Sequence, residues 1–294
     1  MRLSELGEAG LLRELERRGL ARGLDLEGAW DGERAVTQDV LVEGVHFRRE
    51  WTSWRDLGYK AAAVNLSDLA AMGAEPQGLL VSLALPPETP VEDVLELDEG
   101  LNEPNVAVVG GDTVAAQTAF LAVTALGSSE RVPGRAGARP GDALVVTGPL
   151  GGSAAGLHAL QERLEGFDDL VKVHRRPPLR LEEGRRLAAV AHALVDLSDG
   201  ILADAAKIAE RSGCRLVVDV DSLPLAERIK DVADVPFWGF GEDYELLAAL
   251  APDDAKASGF PLVGRCEEGS GVEPRGAEQL HVSGWDSFRR QAAD

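Results

Sequence analysis

The chain has 294 residues and a mass of 31.2 kDa, with 50 acidic and 30 basic side chains, a formal charge of −20 and a pI near 4.7. That balance argues against nonspecific nucleic-acid binding and against attachment to anionic membranes, although bound Mg²⁺ would still let such a chain take an anionic substrate. Hydrophobic residues at 45% and charged ones at 27% describe a globular chain long enough for two cores.

Residues 3–18 have helical periodicity, with Leu6, Leu11, Leu12 and Leu15 on one face. This opening is charged and lacks the apolar core of a signal peptide. After a Gly-rich turn, a strand is expected at 35–37 and an extended segment at 41–47. The spacing predicts a long helix over 54–72, a strand over 79–85 and a short helix over 90–101. Two further strands, 106–109 and 119–126, flank a turn made by Gly110, Gly111, Asp112 and Thr113. The segment 131–142, rich in Gly, Pro and Arg, is the expected domain boundary, dividing the chain into domains 1–133 and 134–294. Beyond it come a strand at 143–147, the Gly-rich stretch 148–153 and a helix over 154–164. Helices are expected over 179–193 and 201–212, strands at 216–220, 244–249 and 261–265, and then an irregular tail. Strands and helices mix without strict alternation, which favours two α+β domains over a doubly wound sheet. No window approaches the roughly 20 apolar residues of a membrane span. The two cysteines, Cys214 and Cys266, stand in unrelated contexts, so a reduced, cytoplasmic protein is expected.

Six aspartates recur in short phrases at the ends of apolar runs: Asp25, Thr37-Gln38-Asp39, Asp68 within Asn65-Leu66-Ser67-Asp68, Asp112 after Gly110-Gly111, and both acids of Asp196-Leu197-Ser198-Asp199-Gly200. Burying an ionised carboxylate costs several kcal/mol unless something pairs with it, and few cationic side chains stand beside these phrases. Oxygen-preferring cations bridging a phosphate ligand explain the pattern, and the chain reads as a magnesium-dependent nucleotide enzyme. Asn65 and Asp68 share one face of their helix. Ser198 or Asp199 could instead cap the helix at 201, but capping leaves Asp196 unexplained. The stretch 147–153 could cradle phosphate at a helix start, though it lacks the Lys-Ser/Thr of a P-loop. Gly241-Glu242-Asp243-Tyr244-Glu245 reads either as a solvated turn or as part of a site. No Ser-His-Asp order or Cys-His pairing offers a nucleophile.

The runs DVLVEGVHF (39–47), KAAAVNLSDLAAMGA (60–74), GGDT (110–113), RAGARPGD (135–142), DLSDG (196–200), GEDYEL (241–246) and GWDSF (284–288) closely resemble the thiamine-monophosphate kinase family, in its order and over nearly the whole chain. The resemblance implies the fold shared with aminoimidazole-ribonucleotide synthetase: two α+β domains, the N-terminal sheet forming a homodimer interface. It implies ATP-dependent phosphorylation of thiamine monophosphate to thiamine diphosphate, by direct in-line transfer assisted by several Mg²⁺ ions, with no dedicated general base. Asp25, Thr37, Asp39, Asp68, Asp112, Asp196 and Asp199 resemble the metal ligands. Gly111, Asp112, Arg135 and Ser198 look like ATP contacts, and His46, Glu242 and Trp285 like substrate contacts. A role for K⁺ stays open.

The chain departs from the family where Gly23-Leu24-Asp25 replaces Gly-Asp-Asp and where Gln38 replaces a Thr before Asp39. Those departures motivate an alternative reading, a non-catalytic relative that binds nucleotide or thiamine phosphate. Hydrogenase-maturation and selenophosphate-synthesis proteins of the same fold form a third reading. It is disfavoured because no reactive cysteine stands near either end.

Overall fold

The structure is a computed structural model that describes residues 2–21 and 23–276. Two sheets organise it, one in each half of the chain. In the first half, α1 (Leu3–Leu6) and α2 (Glu8–Arg17) precede β1 (Ala29–Trp30), β2 (Arg34–Val42), α3 (Trp54–Ala71), β3 (Glu75–Leu85), α4 (Val91–Asn102), β4 (Val108–Ala115) and β5 (Phe120–Ser128). The five strands lie in the order β1-β2-β5-β3-β4. The second half contains β6 (Ala143–Val146), α5 (Gly152–Glu162), α6 (Asp168–Arg175), α7 (Leu181–Ala188), β7 (Ala193–Asp196), α8 (Ile201–Ser212), β8 (Arg215–Asp219), α9 (Ile229–Val232), β9 (Leu246–Leu250), α10 (Pro252–Ser258), β10 (Leu262–Glu267) and β11 (Gly271–Arg275). Its six-stranded sheet has the order β11-β8-β10-β6-β9-β7. Among the described residues no helix is long and apolar enough to cross a membrane.

Three expectations need correction here. The single helix over 3–18 is two, broken where Gly7 takes φ +73°. The turn expected at 110–113 lies inside a strand: β4 runs straight through it, parallel to β3, with Gly111 opposite Val81 and Asp112 opposite Ser82. A Cβ on Gly111 would fall 1.9 Å from the Val81 carbonyl oxygen, so this glycine serves close strand approach rather than reversal. The helix over 179–193 covers only α7, because His192 and Ala193 already feed β7 and its pairing with β9. The cysteines are free and buried, and their sulfurs meet between the start of β8 and β10, where burial pushes both thiols up.

The helix α3 positions everything that follows. Leu57, Ala61, Leu66, Leu69 and Met72 pack into the core under the first sheet, while Ala70 and Ala71 pack with Val145, Leu187 and Leu194 of the second half. Small side chains let sheet and helix approach from opposite sides, so the helix is buried nearly all round instead of being amphipathic. Its start is conventional: Ser53 Oγ caps it by accepting from the Asp56 N–H at 3.0 Å.

Candidate active site

A cleft of about 840 Å³ lies between the halves. Its floor is β2 and α3. Its facing wall comes from the end of β7, the loop into α8, and the segment 240–244. Acidic groups crowd one end; His46, Trp51, His158, His174, Phe237 and Glu242 line the other.

The acidic end is built by β2 and α3 facing each other. Thr37 and Asp39 alternate on β2 toward the helix, as the two-residue period of a strand requires. Thr37 Oγ1 donates a hydrogen bond to Asp68 Oδ2, and Asn65 Oδ1 accepts the Asp39 N–H at 2.9 Å. Ser67 Oγ donates to Asp196 Oδ2 at 2.7 Å in a buried contact that ties the helix to the end of β7. Carboxylate oxygens of Glu27, Asp68 and Asp196 all lie within 4.8 Å of one another. Without a cation, burial first and mutual repulsion second push Asp68 and Asp196 well above the usual carboxylate range. Burial, with Glu27 and Asp199 nearby, moves Asp39 up to about 6. A cluster of hard oxygens whose protons are held only by crowding is a fitting seat for Mg²⁺-type ions. Arg135 pairs with both oxygens of Glu27, and its guanidinium lines the cleft.

The loop into α8 adds Ser198 and Asp199, both lining the cleft. Neither caps the helix through its side chain. The cap runs the other way: fully buried Asp204 in the first turn accepts the N–H groups of Asp199 and Gly200, each at 3.1 Å. Lys207 reaches back to Asp204 Oδ1 at 2.6 Å and Asp199 Oδ2 at 2.7 Å.

At the far end, the segment 241–246 is no solvated turn. Asp243 and Glu245 are buried, and Glu242 and Tyr244 hold positive φ values of 66° and 51°. Lys60 Nζ meets Glu242 Oε1 at 3.0 Å, and His174 Nδ1 meets Oε2 at 3.3 Å. Burial alone would raise the Glu242 carboxyl, but the charge and hydrogen bond of Lys60 foremost hold the group below its usual range. Burial, then Lys60, pushes His174 down to about 3, so the ring is neutral. His46 accepts the Val42 N–H on Nδ1 at 3.1 Å, and burial lowers its pKa. The Gly-rich stretch before α5 holds no room for phosphate: the Gly151 N–H donates to Asp243 at 2.9 and 3.0 Å, so a protein carboxylate already occupies that helix start.

Thr37, Asp39, Asp68, Asp196, Asp199, Arg135, Ser198, His46 and Glu242 thus share one cleft. Asp25 does not join them. It is exposed, paired with Arg211 at 3.3 Å, and the carboxylate that enters the cleft from its segment is Glu27. Gly111 and Asp112 are also elsewhere, exposed on β4, with β5 and β3 between them and β2. Trp285 lies outside the described residues. Sequence reasoning missed Glu27, Ser67, Lys207, Lys60 and His174. Lys60 sat inside a quoted motif and could have been read from its helical spacing, since Lys60, Val64 and Asp68 follow one another at intervals of four.

Residues 26–129 match the family described as AIR synthase related protein, N-terminal domain, and residues 139–259 match its C-terminal domain. The chain is 34% identical to the thiamine-monophosphate kinase of Aquifex aeolicus, over 98% of this chain and 100% of that one. It is 36% identical to the thiamine-monophosphate kinase of Mycobacterium tuberculosis, over 90% of this chain and 83% of that one. The solved structure of AaThiL complexed with AMPPCP and TMP superposes with a TM-score of 0.90 at 34% identity, covering 97% of this chain and 98% of that chain.

Proposed function

The chain belongs to the thiamine-monophosphate kinase family, and from that premise we propose that its cleft transfers the γ-phosphoryl group of ATP to thiamine monophosphate, giving thiamine diphosphate and ADP. The observation that carries this reading is the convergence of Glu27, Asp39, Asp68 and Asp196, from both halves, on one open cleft with an aromatic, histidine-bearing far end. AaThiL, complexed with AMPPCP and TMP, supports the same pair of substrates.

In this reading Asp39, Asp68 and Asp196, joined by Glu27, Thr37 and Asp199, would hold Mg²⁺ ions, which would neutralise the phosphate oxygens. Arg135 and Ser198 face the nucleotide; Arg135 can turn its planar fork from Glu27 to a phosphate. Glu242, kept ionised by Lys60, offers a negative complement to the cationic thiazolium, with His46 beside it. A phosphate oxygen of thiamine monophosphate attacks the γ-phosphorus, the bond to the bridging β-oxygen breaks, and ADP leaves with the electron pair. No protein base is required, because the attacking phosphate is already ionised, and the chain's contribution is alignment and charge.

Gly111 and Asp112 do not line the cleft of their own chain. Two strands separate β4 from β2, about 14 Å at ordinary strand spacing. Asp112 shares its row with Ser82, Ala122 and Val40, on the sheet face that exposes Val40, Leu80, Val109 and Val114. We read the chain as a homodimer closed by that sheet, in which Asp112 completes the site of the partner copy. We keep the division at 133/134 in this reading, with the first sheet and α3 in one domain and the facing wall in the other. The test is thiamine diphosphate formation from thiamine monophosphate and ATP, with and without Mg²⁺, resolved by chromatography. Mg²⁺-dependent product is expected. A folded, ATP-binding protein that makes none would favour the non-catalytic relative.

A further inference from the structure

Lys207 lines the same cleft as the acids, yet nothing in the transfer step above uses it. It stands on the second turn of α8, three residues after Asp204, and its stem runs back toward the loop that carries Asp199. Its ammonium has three donors; two are spent, on Asp204 Oδ1 at 2.6 Å and Asp199 Oδ2 at 2.7 Å. The two oxygens of Asp204 are fully engaged, Oδ1 by Lys207 and Oδ2 by the N–H groups of Asp199 and Gly200. Asp204 has no exposed surface, so an unneutralised charge there would be costly. The lysine side chain itself is 31% exposed, with its exposed part on the cleft side. An ion approaching Asp199 would therefore meet a covalently tethered cation already on that carboxylate. A tethered group competes at a high effective concentration, and Mg²⁺ sheds its water reluctantly.

We propose that Lys207 is a resident cation of the site: its ammonium stays on the Asp199–Asp204 pair when divalent ions bind, so that those ions are confined to Glu27, Asp39, Asp68 and Asp196. Asp199 then anchors Lys207 at the cleft wall, with one ammonium donor left over for a phosphate oxygen. This refines the place given to Asp199 above and rests on the reading of the cleft as a divalent-ion site. Lys207 is accordingly a positioning residue for charge, not a ligand of any ion.

The test counts ions. Mn²⁺ bound per chain is measured by equilibrium dialysis in the presence of a non-hydrolysable ATP analogue, for the native protein, Lys207→Met and Lys207→Arg. The native protein and Lys207→Arg should bind the same number, and Lys207→Met one more, because the vacated carboxylates then accept an ion. An equal count in native and Lys207→Met overturns the proposal. Should Lys207→Met fail to fold, the native protein decides alone: the slowly exchanging ζ-ammonium resonance of Lys207 should persist in NMR spectra through a Mg²⁺ titration, and its loss at saturating Mg²⁺ overturns the proposal equally. A native protein that binds no Mn²⁺ would remove the divalent-ion reading itself, and this inference with it, which separates the two failures.

Discussion

Replacing Asp68 by Asn tests the acidic centre directly. The amide is isosteric, and its oxygen can still accept the Thr37 hydroxyl, so the β2–α3 contact should survive. What disappears is one of three carboxylates whose oxygens lie within 4.8 Å of one another. Two unit charges at that separation repel by about 3 kcal/mol at an effective dielectric constant near 20. In metal-free protein part of this is already relieved, because crowding and burial hold the Asp68 proton well above the ordinary range. The net relief in Asp68→Asn is therefore about 1–3 kcal/mol, and each kcal/mol raises Tm by about 2–4 °C in a chain of this size. The variant should thus melt higher than native protein in EDTA, gain less than native protein from Mg²⁺, and lose turnover by at least about a thousandfold, or ~4 kcal/mol of barrier. Thermal melts with and without Mg²⁺, beside the product assay, read all three. Near-native turnover, or a metal-free variant that melts several degrees lower, would refute the reasoning.

The same crowding sets a pH dependence. Asp39 and Asp204 are pushed up to about 6, and Asp68 and Asp196 well above the usual carboxylate range, so metal-free folded protein retains protons that the unfolded chain loses, and this group's contribution to stability declines as pH rises from about 4 upward. His174, depressed to about 3, works in the opposite sense below its ordinary 6.5, so the informative quantity is the Mg²⁺-induced rise in Tm, which should grow between about pH 5 and pH 8; a flat or shrinking rise would count against an ion on these acids. If Asp112 acts in the partner's site, mixing Asp68→Asn and Asp112→Asn subunits, each inactive alone, should restore about a quarter of native activity, since half the dimers then hold one intact site of two; no recovery after verified subunit exchange would put Asp112 outside the chemistry. Arg180→Met strips Glu245, 2% exposed, of its bidentate partner at 2.6 and 2.7 Å and should cost about 3–5 kcal/mol, with much of it recovered in Arg180→Met/Glu245→Gln. Equal melting of Arg180→Met and native protein would show that this pair carries no such weight.

The long elements were legible because their periodicity is strong. The helices α3 and α8 stand where apolar spacing put them, and the β2 and β5 strands contain the expected β-branched runs. The shorter α6, α10 and β11 escaped notice, since one or two turns of helix or a parallel edge strand against β8 carry little local signal. The misread at 110–113 has a tertiary cause. Two glycines usually announce a turn, and only the tight pairing of β4 with β3 explains them otherwise. In the site, the acids at the ends of β7 and on α3 were visible because a charge interrupts an apolar run. Counting along a loop placed the first acid at Asp25, whereas the approach of β1 to β2 brings Glu27 inward. The partners Ser67, His174 and Lys207 owe their roles to contacts across long sequence separations or to a neighbouring turn, which no motif spells out.

The all-round burial of α3 has a consequence for how the protein comes apart. Its Ala70 and Ala71 belong to a core that otherwise consists of second-half residues, while Leu57 to Leu69 belong to the first. Neither half owns the helix, so cutting the chain between the sheets would leave each fragment with an exposed hydrophobic socket. Melting should accordingly proceed as one cooperative event, without a stage in which one half persists alone. Catalytic competence and global folding would then be lost at the same temperature, and swapping halves between relatives would succeed only where the facing sides of this one helix had changed together.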